Sequence, residues 1–130
     1  MLFDFDLEFV IIKLEKLRGR DMTKIAVLSD IHGNTTALEA VLADAQKSEV
    51  DEYWLLGDIL MPGTGRKNIL QILDTLPIPL RVLGNWEESL WRACHRQLDE
   101  TRPSHRYLLR QCQYIMEELS IEEIEALQDY

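Results

Sequence analysis

The chain has 130 residues, 46% of them hydrophobic, which suits one small domain with a packed core rather than a disordered segment. Its 23 acids against 14 Lys and Arg give a formal net charge of -9, a surface that repels polyanions and excludes polymeric nucleic acid as a main partner. No apolar run approaches the ~20 residues of a transmembrane helix, so no membrane partner is expected.

The two cysteines, Cys94 and Cys112, have no metal-ligand spacing and follow no signal peptide; they are expected as reduced thiols in a cytoplasmic protein.

Residues 1–21 stand apart. Leu2, Phe3, Phe5, Leu7 and Phe9 alternate with acids at strand-like period two, while Leu7, Ile11, Leu14 and Leu17 also fit a helical stripe. Met22 directly precedes the first core strand, and Arg18-Gly19 can be encoded by a purine-rich sequence resembling a ribosome-binding site. Two expectations follow: a translated leader, or an edge strand or interface segment whose apolar alternation is sticky when exposed.

Residues 24–29 read as a strand buried on both faces. A helix follows, with Thr36 and Glu39 as an expected capping box and Leu38, Val41, Leu42 and Ala45 as its apolar stripe. Residues 53–56 form the second strand. A Pro62-Gly63-Thr64-Gly65 loop leads to a second helix carrying Ile69, Leu70, Leu73 and Leu76, stopped by Pro77. Residues 80–83 form the third strand. The order βαβαβ over residues 24–85 calls for an α/β fold with a parallel sheet and right-handed crossovers. Residues 86–130 contain no strand pattern and read as a helical extension: one helix from Glu87 to about Leu98, a break at 101–103, a second helix from Ser104 to about Leu119, and a third opened by a Ser120 and Glu123 capping box. Residues 22–130 are thus one domain.

Each of the three strands ends in a polar cluster: Asp30-Ile31-His32-Gly33-Asn34, Gly57-Asp58 and Gly84-Asn85. The clusters are separated by about one βα unit. Ligands bind outside the carboxyl ends of strands in open parallel sheets, so topology brings the three together. In extended backbone, Asp30 and His32 at i and i+2 point the same way. Two carboxylates, an imidazole and an amide oxygen suit Mn, Fe, Zn or Mg, with no thiolate to favour a softer ion.

These motifs, with Gly84-Asn85 continued by Trp86-Glu87, resemble the first three motifs of the calcineurin-like metallophosphoesterases, near the bacterial branch of asymmetric diadenosine tetraphosphate hydrolases and phosphodiesterases. The resemblance covers residues 24–130. It implies two divalent ions, Mn favoured: Asp30 and His32 on the first, Asp58 bridging, Asn85 on the second, with Asp58 and Asn85 counted as catalytic. It implies in-line hydrolysis by a metal-activated hydroxide of a phosphodiester or dinucleoside polyphosphate. Two departures qualify it. Trp86 stands where the family has a leaving-group histidine, which favours good leaving groups and a role for Trp86 in binding substrate. The later histidine motifs are missing, so the chain resembles the N-terminal half of an αββα sandwich; a catalytically inactive fragment that binds metal weakly or self-associates is the alternative. The sheet is then expected to expose an apolar face and to pair with another copy or with a complementing C-terminal half. Arg66, after the second motif, is a candidate to steer the small anionic substrate. His105 with Arg102, Arg106 and Arg110 reads as a solvated face near many acids, with a phosphate-binding cationic face as the alternative.

Overall fold

The computed structural model describes the backbone of residues 8–15 and 22–129, and side chains from residue 23 to 129. The expectations for residues 1–7 and 16–21 lie outside the described residues. Four strands form one sheet in the order β1 (Glu8–Glu15), β2 (Met22–Ser29), β3 (Glu52–Leu55) and β4 (Leu80–Arg81). β2, β3 and β4 are mutually parallel, with Val27 opposite Trp54 and Trp54 opposite Leu80. The α/β architecture and parallel βαβαβ order read from the sequence are therefore present. To them β1 adds an antiparallel edge, running from Glu8 opposite Ser29 to Glu15 opposite Met22.

The helices are α1 (Thr35–Lys47), α2 (Lys67–Asp74), α3 (Asn85–Cys94), α4 (Pro103–Met116) and α5 (Ile121–Ala126). The expected capping box at Thr36 and Glu39 is replaced by a different cap. Asn34 Oδ1 accepts from the Ala37 amide at 3.0 Å, so Thr36 already lies inside the helix. An Asx side chain competes better than threonine for that place. The expected break before the second of these helices is present, and Pro103 at its end already opens α4, where its missing N–H costs nothing. The Ser120 and Glu123 capping box forms as expected, with Ser120 N donating to Glu123 Oε2 at 2.8 Å. No helix among the described residues is long and apolar enough to cross a membrane.

One core holds the fold. Ala26, Leu28, Tyr53 and Leu55 point from one sheet face into a cluster with Leu38 of α1, Ile69 and Leu73 of α2, Leu90 of α3, Ile115 of α4 and Ile124 of α5. Alternation sends Val27, Trp54, Leu56, Leu80 and Val82 to the opposite face. There Val27 and Trp54 are half-buried, and Leu56, Leu80 and Val82 are 41%, 39% and 44% exposed. Ile25, on this same face, is buried, so among the described residues the apolar face is open on the side of Leu56, Leu80 and Val82.

Candidate metal centre

The loops that leave β2 and β3 are laced together. His32 N donates to Asp58 O at 2.8 Å, Gly33 N to Ile59 O at 2.8 Å, and Asp30 N to Gly57 O at 3.3 Å. The Pro62-Gly63-Thr64-Gly65 loop closes over them through Gly63 N to His32 O at 2.8 Å. Lacing twists the backbone. Asp30, His32 and Asp58 all have left-handed φ, at 57°, 49° and 55°. Each such residue costs roughly 1–2 kcal/mol for an L side chain, and Asp and His are among the types that tolerate it. Asp30 and His32 therefore meet through two left-handed residues, not through the extended alternation expected from the sequence.

The side chains converge. Donor atoms of Asp30, His32 and Asp58 lie within 4.8 Å of one another. His32 Nδ1 sits 2.6 Å from the carbonyl of Met61, itself buried, so the proton belongs on Nδ1 and the Nε2 lone pair faces Asp30 Oδ1 at 3.4 Å. Ser29 Oγ donates to Asp30 Oδ2 at 2.5 Å and fixes the other edge of that carboxylate. A carbonyl orienting the imidazole, a hydroxyl orienting one carboxylate and an oxygen-nitrogen donor set without thiolate fit a hard or borderline divalent ion.

Asp58 is held from α3. Trp86 N donates to Asp58 Oδ1 at 3.0 Å. The Glu87 carboxylate, 2% exposed, accepts from Asp58 N at 2.8 Å, Ile59 N at 2.7 Å and Gly84 N at 3.1 Å. The Gly84 bond is the helix-start contact that a Gly-x-x-Glu spacing announces. The reach to Asp58 and Ile59 has no signal in the sequence, and Glu87 is the supporting residue that sequence reasoning missed. The approach of the two loops is also steric. Gly57 has φ 85°, and a β-carbon on Gly84 would fall onto the Asp58 amide and carboxylate.

Asn85 is exposed at the first position of α3, one residue before the amide that binds Asp58. It lines a hollow of about 380 Å³ with Trp86, Ser89, Ser104, Tyr107 and Leu108. The Trp86 ring stands edge-on to His32, centroids 5.7 Å apart and planes at 80°, so it walls the centre. Arg66, a candidate for steering substrate, is engaged elsewhere. Its guanidinium binds Glu117 at 2.8 Å, Glu118 at 2.5 Å and the Tyr114 carbonyl at 2.8 Å, and lies 4.0 Å from the centre of the Tyr114 ring. These contacts make it a bracket between the start of α2 and the end of α4. His95 stacks on Trp91 at 4.3 Å and pairs with Glu125 at 3.0 Å, a packing role.

The fold and the cluster define an α/β protein with a candidate divalent-metal centre at its strand ends. The model of the calcineurin-like phosphoesterase family matches residues 23–125, and the chain belongs to that family. It is similar to the metallophosphoesterase of Sphaerobacter thermophilus, with a TM-score of 0.58 and 33% identity over 82% of this chain and 40% of that one. An uncharacterized protein of Methanocaldococcus jannaschii is 39% identical over 61 residues, which are 47% of this chain and 25% of that protein. The chain spans less than half the length of both relatives.

Proposed function

We propose that the chain supplies the metal-binding half of a divalent-metal phosphoesterase acting on a phosphodiester or dinucleoside polyphosphate in the cytoplasm. The observation that carries this reading is the convergence of Asp30, His32 and Asp58 within 4.8 Å at the strand ends. In this reading Asp30 and His32 would hold one ion, Asp58 would serve both and Asn85 would bind the second, Mn being favoured among Mn, Fe, Zn and Mg. Such ions supply Lewis acidity at phosphorus and an acidified water.

The chain's own residues do the rest. The Met61 carbonyl keeps the His32 Nε2 lone pair turned toward Asp30. Glu87 keeps Asp58 in its left-handed turn. Trp86 has only an indole N–H to donate and cannot protonate a leaving group, which favours phosphoanhydrides and aryl esters over alkyl monoesters.

A second reading is a metal-binding fragment without turnover. It is favoured by the three-residue donor set among the described residues. Hydrolysis of bis(p-nitrophenyl) phosphate with added Mn²⁺, beside Asp58→Asn, separates the two. Turnover abolished by the substitution supports the enzyme. Equal silence of both proteins, with metal still bound, assigns the chain to the fragment.

A further inference from the structure

We propose that Cys94 and Cys112 form a reversible thiol–disulfide site, oxidised by a small anionic disulfide such as oxidised glutathione, that staples α3 to α4. These are the only cysteines in the sequence, and they lie on different helices. Packing of α3 on α4 nevertheless brings their sulfurs to 2.8 Å. Both are unbonded thiols, Cys94 half-buried and Cys112 4% exposed. Closing to the disulfide length of about 2.05 Å asks for a side-chain adjustment below 1 Å.

Access and charge are both provided. A hollow of about 710 Å³ is lined by both cysteines and by Arg96, Arg106 and Arg110, with Glu100 the one acid among its lining residues. In a chain of net charge -9 this is a local cationic pocket, suited to an anionic reagent. Arg106 and Arg110, two of the three arginines that read as a solvated face from the sequence, here line a hollow shared with a thiol pair. Either sulfur can donate in the contact between them; with Cys94 as the donor, the proton affinity of Cys112 is lowered and that of Cys94 raised, and Cys112 is then the nucleophile.

The exchange balances. The Cys112 thiolate attacks one sulfur of the glutathione disulfide, forming a mixed disulfide and releasing the first glutathione thiolate. Cys94 sulfur then attacks Cys112 sulfur and releases the second. The cysteines lose two electrons, the reagent gains them, and the two thiol protons end on the two glutathione molecules. Transient disulfides of this kind are the ones compatible with a reducing compartment.

The test is mass spectrometry of the 130-residue chain equilibrated across ratios of reduced to oxidised glutathione. The expected result is loss of two hydrogens from the monomer, independent of protein concentration, reversed by dithiothreitol, with a thermal midpoint raised by several degrees. Cys94→Ser should trap one glutathione on Cys112. Arg106→Ala with Arg110→Ala should slow oxidation by glutathione disulfide several-fold but leave oxidation by the neutral 2-hydroxyethyl disulfide unchanged. Disulfide-linked dimers in place of the two-hydrogen loss, or full alkylation of both thiols at every ratio, would overturn the proposal.

Discussion

The Glu87 carboxylate holds the backbone of Asp58: Oε2 accepts from the Asp58 amide at 2.8 Å while Oε1 accepts from Ile59 at 2.7 Å. A buried acid on α3 thereby fixes the turn after β3 that presents a metal-ligand carboxylate. Glu87→Ala leaves three amides without their acceptor, and the expected loss of stability is about 3 kcal/mol. Glu87→Gln keeps an acceptor oxygen and should lose about half as much. Urea denaturation checks both, and a Glu87→Ala protein within 0.5 kcal/mol of the parent, beneath the range expected of such networks, contradicts the assignment.

Gly84, in the loop between β4 and α3, lies against Asp58. A methyl group there meets the Asp58 amide, its Oδ1 and the Glu87 carboxylate at once. Because one of these is backbone, the loop must move. Gly84→Ala should cost about 2 kcal/mol, in the range of overpacked sites, and weaken Mn²⁺ binding with it. Calorimetry of unfolding together with a metal titration measures the pair of effects; stability lost with metal affinity intact would detach Gly84 from the centre.

The open sheet face predicts association. Val27, Trp54, Leu56, Leu80 and Val82 form an apolar strip of the kind that marks an interaction surface. We propose that a second copy covers it in the isolated chain and that a complementing segment can take its place. Sedimentation velocity should show mass rising with concentration, and Leu80→Lys with Val82→Lys should restore a monomer. A parent chain that sediments as a clean monomer at all concentrations counts against this.

Much of the site was legible because topology did the work. Strand ends of a parallel sheet converge whatever their side chains, so the acids after β2 and β3, one unit apart, come to one edge. Details decided by local competition were less legible. Thr36 and Glu39 have the spacing of a cap, yet Asn34 two residues earlier takes the role with its stronger acceptor. Asp30 and His32 satisfy an alternation rule but reach each other through left-handed turns set by bonds to the β3 loop, which are long-range. Arg66 sits in the right loop for an anion, but Glu117 and Glu118, just past the end of α4, claim it. Glu87 belongs to a recognisable helix start, while its bonds to Asp58 and Ile59 depend on a tertiary approach that no local pattern encodes.

The most direct measurement is Mn²⁺ binding, followed by loss of the free-ion electron paramagnetic resonance signal, for the parent chain, His32→Ala and Asp58→Asn, with circular dichroism confirming that all three are folded. The account predicts that the parent binds Mn²⁺ and that each substitution weakens binding about tenfold or more, since each removes a member of the donor set held within 4.8 Å. Equal affinity in all three folded proteins, or no binding by the parent, would contradict it: the cluster at the strand ends would then not be a metal centre.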